Sequence, residues 1–296
     1  MSRSTPSPGL LPPRLRLFAN LWTLWDHPSG KKEWSLERKI AAIKEAGFEG
    51  FAWILNKEHG RLARQYGLWT IGFVSSAKPA EFRSLIRKNL DGGAIRINAQ
   101  LGDHDTPVED SLRMVIRIME ECERVGVPCE IEVHRDTCTE TPEKTYAIAA
   151  GYKKTTGRLL HLSWDFSHIS VVKHLAPPYW QRLIEDPGLI QHSGQFHFRP
   201  FNGHHCQIPV TARSGRISAE LKQWLPFLDK AIATWLAVNQ NGREFFACPE
   251  MGPVRGGYNL TELSDSWKDA KRLRGIIEKA WKRALAVYLN RRDADR

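Results

Sequence analysis

Short apolar segments alternate with amphipathic segments along the whole chain. Each apolar segment is six or seven residues long, which is the length of a buried strand, and the residues between them repeat with helical periodicity. On this basis we predict eight strands: Leu15–Asn20, Gly50–Leu55, Trp69–Val74, Ala94–Ala99, Cys129–His134, Leu159–Asp165, Gly194–Arg199 and Glu244–Pro249.

Capping signals mark where several of the helices begin. Ser35 can cap a helix that ends before Gly47, because its side-chain oxygen can accept a hydrogen bond from a free backbone N–H. The tetrapeptide Thr106–Glu109 has the pattern of a capping box with proline at the first helical position, and Thr141-Pro142 opens the next helix in the same way.

Eight strands separated by helices, with a long helix last, predict an α/β protein with a single (β/α)8 TIM barrel. A doubly wound open sheet is the alternative, but no glycine-rich phosphate loop follows any strand. There is neither an internal repeat nor an internal linker, so we assign residues 14–296 to one barrel. Residues 1–13 are rich in Pro and Ser and are predicted to form a flexible tail.

The composition is that of an ordinary globular protein. The 296 residues are 42% hydrophobic and 26% charged, enough to bury a core without disulfides. Five cysteines without CxxC spacing indicate reduced thiols rather than a zinc knuckle. No apolar run approaches the roughly 20 residues of a membrane span, and the first residues lack the apolar region of a signal peptide. We therefore expect a cytoplasmic protein that does not contact a membrane.

The chain is basic, with a formal net charge of +10, which could attract nucleic acid or an anionic substrate. The densest basic region, Lys268–Arg292, also contains apolar residues at helical spacing, such as Ile277 and Trp281. We interpret that charge as the solvated face of the last helix.

Four residues of types that commonly bind metal ions lie at or just beyond the ends of consecutive predicted strands. These residues are Glu132, Asp165, His197 and Glu250. In a parallel barrel these strand ends converge on one rim, and a charge there is costly to bury unless it is paired or bound to a metal. Three carboxylates and one imidazole suit Mn²⁺ first, with Mg²⁺, Co²⁺ or Zn²⁺ as alternatives. We predict a site for one divalent ion.

The motifs EVHRDT, DFSH, HFR and CPE resemble the strand ends of the xylose isomerase-like TIM-barrel superfamily, in its sugar isomerase and epimerase branch. The resemblance covers Leu15 to Leu289 and implies metal ligation by the four residues above. It further implies that His168 and Arg199 meet the substrate. His134 and Arg135 fall where related sequences place polar residues on the loop after the fifth strand.

The resemblance implies chemistry on a sugar, keto-sugar or related polyol. Glu132 and Glu250 could remove and return a proton next to a metal-bound carbonyl, giving isomerisation or epimerisation. Elimination by a lyase, deglycosidase or dehydratase would use the same two glutamates. Trp53, like Trp22 and Trp25, lies near the predicted rim, where aromatic rings can pack against a sugar.

Other functions are less favoured by the sequence. An abasic-site DNA endonuclease needs more histidines, for which His59 and His104 are candidates, but the region CQIPVTARSG lacks that family's Asp-x-His pair. A non-catalytic sugar-binding barrel is the other class. The segment Arg255-Gly256-Gly257 follows the eighth strand, where barrels often bind phosphate, so the sequence leaves both free and phosphorylated substrates as alternatives. It also leaves open whether the protein forms a homo-oligomer.

Overall fold

The computed structural model describes residues 11–238, 240–260 and 263–294. Eight parallel strands form a closed barrel in which each strand pairs with the next and the last pairs with the first. The strands are β1 (Arg14–Asn20), β2 (Gly50–Trp53), β3 (Trp69–Ser76), β4 (Ala94–Leu101), β5 (Cys129–Val133), β6 (Leu162–Asp165), β7 (Gln195–His197) and β8 (Glu244–Cys248).

Helices follow the strands and surround the barrel. They are α1 (Leu36–Glu45), α2 (Lys57–Tyr66), α3 (Phe82–Asp91), α4 (Val108–Arg124), α5 (Pro142–Thr156), α6 (Phe166–Val172), α7 (Trp180–Leu183), α8 (Pro187–His192), α9 (Ala219–Trp235) and α10 (Ser266–Ala294). Short 3₁₀ helices cover Leu21–Leu24 and Pro79–Glu81. The predicted (β/α)8 barrel is therefore confirmed. Most of the predicted tail lies outside the described residues.

Each predicted strand overlaps an observed one, but the ends differ. The predicted seventh strand runs to Arg199, whereas β7 ends at His197. The Phe198 N–H still donates to the carbonyl of Cys248, but Pro200 has no N–H to continue the ladder. The strand therefore ends early, and the chain after it turns over the rim.

Two of the three predicted caps are confirmed. Ser35 accepts the N–H of Arg38 and Thr141 accepts the N–H of Lys144. The capping box at Thr106 is wrong, because α4 begins at Val108 and Pro107 precedes it without a side-chain cap. The Thr106 hydroxyl instead donates to Asp103 Oδ1 at 2.7 Å, so a local turn uses the group that would have capped the helix.

The last helix packs its apolar face on the barrel. Ile277 is fully buried and Trp281 nearly so, and the Trp281 ring lies 5.2 Å from that of Phe245 on β8. Lys282 and Arg283 on the same helix are exposed. This arrangement confirms that the basic residues there lie on a solvated helix face.

Polar side chains inside the barrel form two layers. Alternate residues of a strand point to the same side, so Glu130 and Glu132 both point inward. In the lower layer, Glu130 contacts Gln195 of β7 and lies 3.4 Å from the Arg96 guanidinium. Glu132 lies in the upper layer, toward the C-terminal rim, and this layer forms the candidate site.

All five cysteines are free, as predicted. Among the described residues, no helix is both long and apolar enough to cross a bilayer.

Candidate metal centre

The four predicted ligand residues lie together at the rim of the barrel. Glu132 is on β5, Asp165 ends β6, His197 ends β7 and Glu250 lies two residues after β8. One ligand atom from each lies within 4.8 Å of the others, and none of the four residues is more than 5% exposed. The convergence predicted from parallel strand ends is therefore observed.

His197 lies between the two glutamates. Its Nδ1 is 3.0 Å from Glu132 Oε1 and 2.9 Å from Glu250 Oε2. The Arg199 guanidinium connects the remaining carboxylate to this group, since its Nη2 is 3.1 Å from Asp165 Oδ2 and 3.2 Å from Glu250 Oε2.

The oxygen of each carboxylate that faces away from the cluster accepts hydrogen bonds. Glu132 Oε2 accepts from Asn98 at 2.6 Å and Gln100 at 2.7 Å, both on β4. Glu250 Oε1 accepts from Asn20 of β1 at 2.7 Å. Asp165 Oδ1 accepts from the backbone N–H and hydroxyl of Ser167. Such contacts fix carboxylate orientation around bound metals.

Three of the atoms that face the cluster lack a hydrogen-bond partner. Asp165 Oδ2, Glu250 Oε2 and His197 Nδ1 are buried and, among the described residues, make no contact with hydrogen-bond geometry. Buried polar atoms normally have a partner, so three such atoms converging on one point fit a site that binds a cation. A set of three carboxylates and one imidazole fits a hard divalent ion.

The electrostatics of the cluster also fit a cation. Burial raises the pKa of Glu132, but the attraction of the charged His197, 3.0 Å away, outweighs it and lowers this pKa to about 2. Burial likewise opposes ionisation of Asp165, whose pKa is nevertheless lowered by Arg199 and His168. Burial lowers the pKa of His197, but the attraction of Glu250 and Glu132 raises it well above its ordinary value. The three carboxylates thus favour positive charge at the centre of the cluster, which a bound dication would supply.

Two of the predicted substrate-binding residues contact the cluster directly, and a third contacts one of these two. His168 Nε2 is 3.2 Å from Asp165 Oδ2, and Arg199 contacts two of the carboxylates. The His134 ring lies 4.0 Å from the His168 ring. Arg135 is exposed and its guanidinium lies 4.7 Å from the Tyr258 ring.

A chain of aromatic rings connects Trp53 to the cluster. Trp53 lies at the end of β2, 5.7 Å from the Trp25 ring, which is 6.4 Å from Trp22. Trp22 packs edge-on against Tyr258 at 4.9 Å, and the Arg199 guanidinium lies 4.5 Å from the Tyr258 ring. Tyr258 therefore covers Arg199 on its rim side.

A cavity of about 650 Å³ adjoins the cluster. It is lined by Gln100, which bonds Glu132, and by His134 and Arg135 from the loop after β5. A second cavity of about 640 Å³ lies between the loops after β1 and β8 and includes Trp25 and Arg255. The first cavity is therefore lined by a residue that bonds a ligand carboxylate, Gln100, and by His134, whose ring lies 4.0 Å from that of His168.

The basic residue considered for phosphate binding already has partners. Arg255 Nη1 is 3.3 Å from Asp26 Oδ1, and its guanidinium lies 5.1 Å from the Trp25 ring. The histidines considered for a larger metal cluster lie elsewhere. His59 is in α2, with Nδ1 2.8 Å from Asn56 Oδ1, and His104 pairs with Asp136 at 2.7 Å.

Sequence reasoning missed the residues that support the carboxylates, namely Asn20, Asn98, Gln100 and Ser167, and it also missed Tyr258. The alternation Arg96-x-Asn98-x-Gln100 on β4 was an available signal, because polar residues at every second position of a buried strand must share one side. Tyr258 lies in a loop without a motif and gave no comparable signal.

This chain is similar to known proteins in its structure rather than in its sequence. No protein-family model matches the chain, and no curated protein is similar to it in sequence. A xylose isomerase-like TIM-barrel protein from Mycobacterium smegmatis, solved in complex with magnesium, matches 92% of this chain and 98% of its own with 14% identity and a TM-score of 0.55. A sugar phosphate isomerase/epimerase from Parabacteroides distasonis matches 93% of this chain and 95% of its own with 10% identity and a TM-score of 0.56.

A third solved structure, the 3-keto-D-glucoside 4-epimerase of E. coli, matches 94% of this chain and 100% of its own with 14% identity and a TM-score of 0.51. Identities this low establish the fold alone. The resemblance predicted from the strand-end motifs is therefore confirmed at that level: this chain has the fold of the xylose isomerase-like TIM barrels.

Proposed function

We propose that this protein is a divalent-metal-dependent isomerase or epimerase of a sugar, keto-sugar or related polyol. The observation that carries the proposal is that Glu132 and Glu250 converge on one point, with an oxygen of each at 3.0 and 2.9 Å from His197 Nδ1. Two carboxylates that flank one centre can remove a proton from a carbon and return one at another face or position.

Glu132, Asp165, His197 and Glu250 would hold the ion, with Mn²⁺ as the first choice and Mg²⁺, Co²⁺ or Zn²⁺ as alternatives. When bound, the ion supplies Lewis acidity that favours loss of a proton next to a carbonyl. The protein supplies the rest. Glu132 and Glu250 act as base and acid, and His168 and Arg199 hold substrate oxygens, since both side chains already contact Asp165.

The site supports an unphosphorylated substrate best. Arg255 is engaged by Asp26, and the cavity beside Gln100 contains both acids and bases rather than a cluster of cations. Arg135, His134 and the rings of Trp22 and Tyr258 border the site with the mixture of polar and aromatic groups that suits a sugar.

Elimination is the alternative, because a lyase, deglycosidase or dehydratase would use the same two glutamates. One solved structure of the same fold, a probable 3-DHS dehydratase from Bacillus anthracis, matches 90% of this chain with 16% identity and a TM-score of 0.50. Isomerisation and epimerisation conserve the substrate's formula, whereas elimination releases water or an aglycone, so product mass separates them.

The test begins with metal analysis of the purified protein, for which we expect about one divalent ion per chain. The Mn²⁺-loaded protein is then incubated in D₂O with a panel of free ketohexoses, 3-keto-glucosides and their phosphorylated counterparts. Turnover with deuterium incorporated next to the carbonyl is expected for an unphosphorylated member.

The substitutions Glu132→Gln and Glu250→Gln should each lower kcat by about 10²- to 10⁴-fold, because each removes one proton-transfer group. Glu120→Gln, at an exposed position of α4, is the matched control and should leave kcat unchanged. Full activity in both active-site variants would refute the assigned roles, as would turnover without deuterium incorporation.

A further inference from the structure

Gln100 contacts both the candidate metal centre and the cavity beside it. Its Nε2 donates to Glu132 Oε2 at 2.7 Å, and the same side chain lines the cavity of about 650 Å³ together with Ser75 and His134. The residue is half-buried, whereas Glu132 is 2% exposed. Gln100 therefore connects a buried ligand carboxylate to a space that a substrate can reach.

Asn98 provides a contrast on the same strand. It donates to the same oxygen of Glu132, at 2.6 Å, but it is fully buried and does not line the cavity. Both residues point inward because they are two positions apart on β4. Asn98 thus supports Glu132 from below, and Gln100 supports it from the cavity side.

The Gln100 amide has hydrogen-bonding capacity to spare. A glutamine side chain offers two N–H donors and a carbonyl acceptor. One N–H is used by Glu132, and Gln100 makes no other side-chain hydrogen bond among the described residues. The second N–H and the carbonyl oxygen remain for a group in the cavity, and a hydroxyl, which both donates and accepts, matches them.

The charges of the cavity favour a neutral ligand. His104 and Asp136, which both line it, pair at 2.7 Å, and the other acidic and basic lining residues are Arg135 and Glu140, besides His134. Charges of both signs are therefore close to balance, which disfavours an anionic group such as a phosphate.

We propose that Gln100 is a positioning and specificity residue, which orients Glu132 through one N–H and binds a hydroxyl of an uncharged polyol through the rest of its amide. The inference rests on the proposed function, because it assigns the part of that substrate that lies beyond the reacting carbons. A polyol seated in the cavity also holds Gln100 in place, and through it Glu132.

The experiment compares three substitutions with two measurements. Mn²⁺ affinity is measured on the metal-free protein from the electron paramagnetic resonance signal of free Mn²⁺, which does not depend on turnover. KM and kcat are measured at saturating Mn²⁺ with the sugar of the panel above that the wild type converts fastest. The substitutions are Gln100→Met, Asn98→Leu and Ser75→Ala.

Gln100→Met and Asn98→Leu should both weaken Mn²⁺ binding by about 10- to 100-fold, the usual effect of losing a hydrogen bond to a ligand. Only Gln100→Met should also raise KM, by about 3- to 10-fold for one neutral hydrogen bond. Ser75→Ala, which lines the cavity without contacting Glu132, should leave Mn²⁺ affinity unchanged. If Gln100→Met does not fold, Gln100→Ala replaces it with the same expectations.

An unchanged KM in the Gln100 variant would overturn the substrate half of the inference. Unchanged Mn²⁺ affinity, or an equal loss in Ser75→Ala, would overturn the positioning half. These results differ from failure of the proposed function, in which the wild type itself would bind no Mn²⁺ or convert no sugar of the panel.

Discussion

At the residue scale, Glu130 and Glu132 have opposite pKa shifts although they lie two positions apart on β5. Burial raises the pKa of Glu130, which the nearby Arg96 only partly offsets. Burial also acts on Glu132, but His197 lies 3.0 Å away and lowers its pKa to about 2. The two glutamates have the same orientation and almost the same burial, so their partners on β4 and β7 decide the ionisation of each.

A histidine away from the candidate site sets a pH dependence of stability. Burial, with the nearby charges of His192 and Arg243, lowers the pKa of His161 to about 4. The unfolded chain therefore takes up a proton on this residue below about pH 6.5, whereas the folded chain does not until about pH 4. We expect the free energy of unfolding to fall as the pH drops through this window.

Denaturant unfolding between pH 5 and 7 measures this effect, since most carboxylates stay ionised there in both states. His161→Gln should make the dependence on pH shallower than in the wild type. His104→Gln is the control, because Asp136 raises the pKa of that exposed histidine and the sign of its contribution is opposite. A His161→Gln variant as steep as the wild type would contradict the assignment.

At the element scale, the contributions of the strands to the site are unequal. The four ligand-type residues come from β5, β6, β7 and the end of β8, while β1 and β4 supply the amides that bond two of them. The closing pair β1–β8 therefore matters for chemistry as well as for stability, because it sets Asn20 against Glu250.

The helix that follows β8 should be essential for holding this closure. Ile277 on α10 is fully buried against the barrel, so Ile277→Ala should lower the free energy of unfolding by about 2–5 kcal/mol through lost burial and the cavity left behind. Val287→Ala on the same helix, where the side chain is 50% exposed, should cost under about 0.5 kcal/mol. Equal effects in chemical denaturation would show that this face is not packed as described.

At the scale of the whole molecule, the candidate centre brings together side chains from the ends of four consecutive strands, β5 to β8. A cation held by all four would bind the folded chain and not the unfolded one. Mn²⁺ at 100 times its dissociation constant should then stabilise the protein by about 2.7 kcal/mol. For a chain of this size that corresponds to a rise of about 4 °C in the unfolding midpoint.

Thermal unfolding with and without Mn²⁺, after removal of metal by a chelator, measures this rise. Glu250→Gln should reduce it, because one of the four ligands is weakened, while Glu120→Gln should not. A wild-type midpoint that did not respond to Mn²⁺, Mg²⁺, Co²⁺ or Zn²⁺ would contradict the metal assignment.

The sequence by itself determined the barrel and the convergence of Glu132, Asp165, His197 and Glu250. Both follow from local information, because strand and helix periodicity is written along the chain and parallel strand ends must share a rim. Cap geometry at Thr106 was decided by a competing turn with Asp103, which periodicity does not encode.

Only the tertiary structure decided which groups surround those four residues. Asn20, Gln100 and Tyr258 reach the centre from β1, β4 and the loop after β8, and the chain separations are as large as 230 residues, between Asn20 and Glu250. Such contacts depend on strand register and loop path, which are properties of the closed barrel. The position of the candidate centre was therefore readable from the chain, whereas the hydrogen bonds that orient its carboxylates were not.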